Sequence, residues 1–315
     1  MKRSALLSSA AIIVFFSVFL AHSGFYLGPG QAIREKARLL KEYKDEEEAD
    51  VWQEPKSPLN GVYQSGKYRF TQANQPFIVE DDVDIKESRV VIEAGVRFQV
   101  NPGKTVTFSG PASLTVTGRA GDPVIFTSSN SPGTPGEWGR LVINKYSVDI
   151  DYMTVENAED PVSFSSSGAV RNTIVKASLT SGISIIGDGT SATILLENCN
   201  FTNNNDAGVI VDSSSNAVEI KKCKIIENNY DNIGKADEEL IINNISGTSG
   251  FTLEECSISG TKTLYNLTTH TSHNIKAEYN WWGSTSPAIG YLAGSGSVDF
   301  LPYRVSESTA AGVGN

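Results

Sequence analysis

Asp149 and Asp151 stand two residues apart in Val148-Asp149-Ile150-Asp151. In an extended stretch that spacing puts both carboxylates on one face. Arg171 follows 20 residues after Asp151, in the next unit of similar pattern. A short coil between them would bring its guanidinium near both acids. Carboxylates and a cation on one face can hold a hard metal ion through oxygen or move a proton. They are equally an exposed acidic strand face with a neighbouring cation.

The other reactive side chains are sparse. His270 and His273 are separated by two residues with no third ligand in view, so they read as loop histidines rather than a metal site. Cys199, Cys223 and Cys256 are an odd set that cannot all pair within one chain. Neither a Ser-His-Asp nor a Cys-His nucleophile has a fitting context. Trp281 and Trp282 are adjacent, so on a strand one caps the core and the other faces solvent. Trp138 sits in the Gly/Pro-rich Gly136-Glu-Trp-Gly139. These tryptophans are either contact aromatics for a sugar or protein, or plugs at coil ends. Asn200-Phe-Thr202, Asn244-Ile-Ser246 and Asn266-Leu-Thr268 are glycan acceptor triplets if the host is a eukaryote.

These residues must be positioned by short strands. Gly, Ser, Thr, Asn, Val and Ile dominate, a composition that favours strands and tight turns over helices. From residue 61 onward, period-two apolar stretches such as Val90-Val-Ile92, Val96-Arg-Phe98-Gln-Val100 and Val106-Thr-Phe108 alternate with Gly or Pro. A longer repeat lies on top. Cys199-Asn-Phe201, Cys223-Lys-Ile225 and Cys256-Ser-Ile258 share one frame, and Met153-Thr-Val155 and Asn172-Thr-Ile174 fit it without cysteine. The intervals run from 19 to 33 residues. Repeats of that size with variable loops mark solenoids or propellers. Three short strands per unit with no helix between them favour a β-helix of roughly nine to ten coils. The cysteines then stack at about the 4.8 Å inter-strand spacing as an internal ladder, with a Cys199–Cys223 bridge as the alternative to free thiols. The Asn-rich stretches Asn203-Asn204-Asn205, Asn228-Asn229 and Asn243-Asn244 suit left-handed corners.

The N-terminus has a different character. Lys2 and Arg3 precede an uncharged run from Ala5 to Leu20, and Ala21-His22-Ser23 offers small residues for a signal peptidase. Residues 1–23 are expected to be a cleaved export signal or a retained single-pass anchor. Residues 24–60 form a charged helix or linker, with Ile33, Ala37 and Leu40 at helical spacing between residues 33 and 48. The β-helix is expected over 61–303, and a flexible tail over 304–315. The 26 Lys/Arg against 36 Asp/Glu leave a formal charge of -10, which argues against a nucleic-acid partner.

Three stretches carry a family resemblance. They are Phe77-Ile-Val-Glu-Asp-Asp-Val-Asp-Ile with Val90-Val-Ile-Glu-Ala-Gly-Val-Arg-Phe, Gly121-Asp-Pro-Val-Ile-Phe-Thr-Ser-Ser with Pro135-Gly-Glu-Trp-Gly, and Tyr279-Asn-Trp-Trp-Gly-Ser-Thr-Ser-Pro with Val298-Asp-Phe-Leu-Pro-Tyr. In that order they resemble the right-handed parallel β-helix, or pectin-lyase-like, superfamily. They are similar to extracellular surface proteins of bacteria and archaea and to animal cell-junction proteins of the bark beetle type. The resemblance implies fold more than function, because this fold hosts lyases, epimerases, hydrolases, adhesins and scaffolds.

Lyases of the superfamily use acids on adjacent coils to hold Ca2+ and an Arg or Lys to remove a proton, roles that would fall to Asp149, Asp151 and Arg171. Its hydrolases use an Asn-Thr-Asp triplet, an Asp-Asp pair, a His-Gly and an Arg-Ile-Lys. Here Asn172-Thr173 is followed by Ile174, Asp81-Asp82 comes in the first coil, and the last two motifs do not occur. The expectation is a non-catalytic, secreted or cell-surface protein without cofactor that contacts an extracellular protein or glycan. Membrane contact would come only through an uncleaved N-terminal segment. A Ca-dependent polysaccharide lyase or epimerase is the alternative, and a fragment-like repeat of a larger architecture is a third reading.

Overall fold

The computed structural model describes residues 51–313 apart from 131, 188–192, 214–215, 229–237, 246–249, 261–264, 270, 285–287, 292–295 and 308–310. The expected export segment, the helix at 33–48 and His270 lie outside the described residues. No helix among the described residues is long and apolar enough to cross a membrane.

Alternation of apolar and polar residues produces strands with one dry side, and here it repeats until 25 strands among the described residues form one array. Every named strand pairing is parallel, each strand with the one a full turn on, which defines a parallel β-helix. Its three faces are typified by Val209–Ser213, Ala217–Lys221 and Lys224–Ile226, which follow one another around a single turn. Eight complete three-strand turns are followed by closing turns in which the third face shrinks to a bridge between Ser257 and Trp281. That shortening accounts for the difference from the nine to ten coils expected. The first strand is Leu59–Gln64, and Gln53 already bridges to Tyr68, so the helix starts slightly before residue 61.

Stacking converts the alternation into continuous columns. On the second face Ile92, Val116, Ile150, Val170, Leu196, Ile220 and Leu253 fall in register, one per turn. None is more than 2% exposed, and burying each such side chain stabilises by about 1.5–3 kcal/mol. On the third face Phe77, Phe98 and Phe126 superpose, the last two with ring centroids 4.4 Å apart and 2° between planes.

The corners are built from single left-handed residues. Tyr152, Asn172, Asn198, Lys222, Glu255 and Tyr279 have φ between 48° and 60° at one corner, a conformation that costs non-glycine residues free energy and occurs singly. The residue after each one is Met153, Thr173, Cys199, Cys223, Cys256 and Asn280, all buried. Thr173 Oγ1 lies 2.9 Å from the carbonyl two residues before it, and the three thiols lie 3.2–3.3 Å from theirs. Each of these carbonyls also accepts the N–H of the left-handed residue on the preceding turn, so the inward group gives it a second hydrogen bond.

Three described residues of the stretch expected as a flexible tail bond to the β-helix. Arg304 N–H donates to Asn280 O, Gly312 N–H to Lys222 O and Val313 N–H to Asn200 Oδ1.

Candidate functional site

The parallel register of the second face determines where the candidate charges meet. Asp151 lies opposite Arg171, and Asp149 opposite Ala169. The even spacing of the acids turns both outward, as the sequence implied. Arg171 reaches diagonally, its Nη1 standing 2.7 Å from Asp149 Oδ1, while its Nε lies 3.7 Å from Glu197 Oε2 on the following turn. Asp151 Oδ1 instead accepts a hydrogen bond from Asn172 Nδ2 at 2.6 Å. The three residues named from sequence are therefore together, and Glu197, Asn172 and Asn198, which donates to Asn172 Oδ1, complete the group.

This arrangement limits the chemistry. Arg171 is engaged by two carboxylates, and Arg is the hardest side chain to deprotonate. Asp149 and Asp151 each face a donor, so their oxygens do not converge on a shared cation, which would ask for six to eight oxygen ligands. Among the described residues no group of three His, Cys, Asp or Glu side chains is placed to hold a metal ion. The trio lies on a flat strand face, with Asp149 at 65% side-chain exposure. It continues as a ladder of ion pairs, with Lys222 Nζ 3.9 Å from Glu197 and Lys221 Nζ 2.7 Å from Glu219.

The cysteines superpose on successive turns as free thiols, each fully buried. Cys199 N–H points to Cys223 Sγ and Cys223 N–H to Cys256 Sγ, both at 3.4 Å, and Cys256 N–H donates to Asn280 Oδ1 at 2.8 Å. Loss of hydration pushes the Cys199 and Cys223 thiols well above their ordinary range, the reverse of what a nucleophile or metal ligand needs. A parallel ladder occupies the next corner. Asn203 takes the left-handed turn, while Asn204 and Asn228 point inward. Asn204 Nδ2 donates to Asn228 Oδ1 at 2.8 Å, and Asn228 Nδ2 donates to the buried carboxylate of Glu239 at 2.6 Å.

The aromatics divide by depth. Trp138 is fully buried, with Nε1 donating to Glu156 O at 2.9 Å, so it plugs the interior and offers no contact surface. Trp282 is 1% exposed and Trp281 partly exposed, as adjacent strand positions require. Of the glycan acceptor positions, Asn244 is exposed, whereas Asn200 is half-buried beneath Val313. Asn266 lies on the strand Tyr265–Thr269, and its side chain is outside those described.

Sequence reasoning missed the shallow cavity of about 570 Å3 on the third face, lined by Gln75, Pro76, Arg97, Gln99, Asp122 and Ile125 among others. Arg97 and Gln99 are the outward positions of an alternating strand, which read in the sequence only as the polar half of the pattern. Their convergence with Gln75 and Asp122 depends on stacking, since Gln72 Nε2 bonds Asp122 across 50 residues. Pro76, Gly95 and Pro123 around Arg97 were the available signal.

No family model, no curated protein and no solved structure matches this chain.

Proposed function

We propose that this is a non-catalytic, exported β-helix protein that presents a rigid lateral face for contact with an extracellular protein or carbohydrate. We place it with the right-handed, pectin-lyase-like β-helices on the order of its three motif stretches. The observation that carries the functional reading is the pairing of Arg171 with Asp149 and Glu197. The side chains best suited to catalysis bind one another, on a flat face. What remains is a long scaffold whose outward residues are fixed by backbone pairing on every turn, which lowers the ordering cost of binding. Export rests on the basic start and apolar run of residues 1–23, either cleaved or kept as a single anchor with the β-helix outside.

The convergence of Asp149, Asp151 and Arg171 is the specific observation that favours the alternative, a Ca-dependent lyase or epimerase acting on uronate-containing glycans. Two measurements separate the readings. A glycan array probed with residues 24–315, with and without Ca2+, is expected to show binding or silence without turnover. Incubation with uronate polymers is expected to release no unsaturated product absorbing in the ultraviolet. Appearance of that product, and its loss in Asp151→Ala, would overturn the contact reading.

A further inference from the structure

The cavity on the third face holds two opposite charges that do not meet. Arg97 and Gln99 are half-buried outward positions of the strand Arg97–Val100, and Ile125 is the register partner of Arg97 on the next turn. Backbone pairing therefore fixes these three as a floor. The rim comes from two loops. Gln75 Oε1 accepts the Arg97 N–H at 2.9 Å, which fastens the Gln75-Pro76 side. On the Gly121-Asp122-Pro123 side, Asp122 O accepts the Gly95 N–H at 2.9 Å, and Asp122 Oδ2 accepts from Gln72 Nε2 at 2.7 Å. Only glycine allows that approach, because a Cβ on Gly95, whose φ is +73°, would overlap Gln72 Nε2 and Asp122 Oδ1. The carboxylate is thus held by a neutral amide. Among the described residues neither it nor the Arg97 guanidinium has an ion-pair partner, although both line one cavity. Arg119 shares a turn with Asp122 through two backbone bonds, but its side chain does not line the cavity.

We propose that this cavity binds a small zwitterion, an α-amino acid or a short peptide, with its carboxylate on Arg97 and its ammonium on Asp122. An anion lacking an ammonium would bring its charge up to Asp122, and a cation lacking a carboxylate would meet Arg97. Each is penalised where the molecule carrying both charges is favoured. A guanidinium takes a carboxylate through two parallel hydrogen bonds. Asp122 Oδ1 accepts no hydrogen bond from the described residues, which leaves it for the ammonium. The Gln99 amide can both donate and accept between the two ends. Pro76, Pro123 and Ile125 supply apolar surface, which suits an aliphatic side chain. The volume of about 570 Å3 falls within the range of small-molecule sites. Such a ligand goes beyond the lateral contact proposed above and is independent of it.

The test titrates the full chain with L-leucine and with leucyl-leucine by ligand-observed NMR. Each is run beside its N-acetylated form, which lacks the ammonium, and its C-terminal amide, which lacks the carboxylate. At least one zwitterion is expected to bind, and the tighter of the two tells a free amino acid from a peptide. Its blocked forms are expected to bind about tenfold more weakly, the loss of one charged hydrogen-bonded end. Arg97→Gln is expected to bring the zwitterion down to the level of its amide, and Asp122→Asn down to that of its acetylated form. Both positions face outward, and an unchanged β-sheet circular dichroism signal checks each fold. Silence from both zwitterions overturns the proposal, as does a blocked form that binds as well as its parent. Full affinity retained by either folded variant overturns it too. If a variant misfolds, the comparison of blocked and free forms on the natural chain decides alone.

Discussion

At the scale of single residues, burial decides what the reactive groups can do. Cys199 and Cys223 are held neutral by desolvation, so their folded-state pKa values lie above those of the unfolded chain. The resulting stability is complete below the unfolded thiol value, about 8.5, and declines as pH rises through the window up to the folded values. Each thiol contributes a slope of about 1.4 kcal/mol per pH unit there. Urea midpoints measured from pH 7 to 10 are expected to fall more steeply for the natural protein than for a Cys199→Ser/Cys223→Ser variant. Serine keeps a donor for the corner carbonyl and does not titrate. Asp149 stands in the opposite setting, at the surface. Its ion pair is exposed, so Asp149→Ala is expected to cost less than about 1 kcal/mol in urea unfolding. A cost several times larger would mean that the second-face charges are coupled as a network. Asp149, Asp151 and Arg171 were legible in sequence because period two and a short coil fix their face. Glu197 and Asn172 were not, because which residues join them depends on register across turns of unequal length.

Individual elements are strained corners joined to very short strands, and neither would persist alone. The third-face strands contribute as few as three residues, such as Lys224–Ile226, and each is secured only by its neighbours on the turns before and after. The Asn ladder shows how the corners are held. Asn204→Ala removes the acceptor for Ser178 N–H and Oγ and the donor to Asn228 Oδ1. Ser178 Oγ keeps the carbonyls of Thr180 and Ser181, and Asn228 Oδ1 keeps the residue-204 N–H. Ser178 N–H is the buried donor left unpaired, so a loss of about 1–3 kcal/mol is expected by thermal or urea unfolding. Asn204→Asp is expected to do worse, since it places a second buried acid near Glu239. The repeat with its Cys-x-apolar core was readable because inward positions accept few residue types. The Asn ladder was misread as turn formers only. Asn serves both at the bend and just after it, and one sequence gives no way to tell Asn203 from Asn204 until the left-handed residue is located.

For the whole molecule the consequence is near one-dimensional cooperativity. Strand pairing joins each turn only to its neighbours, so stability is set mainly by repeat and interface contributions added along the axis, and damage at one end stays near that end. Two fully buried large side chains test this from different places. Phe164 sits mid-stack between Ile143 and Ile185, and Trp282 lies in the closing turns. Truncation of such a residue to alanine costs about 3–5 kcal/mol. Phe164→Ala is expected to lower the main unfolding transition, because turns on both sides lose a packing neighbour. Trp282→Ala is expected to leave that transition nearly in place and to accelerate amide hydrogen exchange selectively in the strands Tyr265–Thr269 and Ile275–Lys276. Protection of the strand Arg89–Glu93 should be unchanged, as local opening at a solenoid end requires. Uniform loss of protection from Arg89 to Asp299 in the Trp282→Ala protein would show instead that the turns unfold as one unit, and the stacking account of its stability would have to be abandoned.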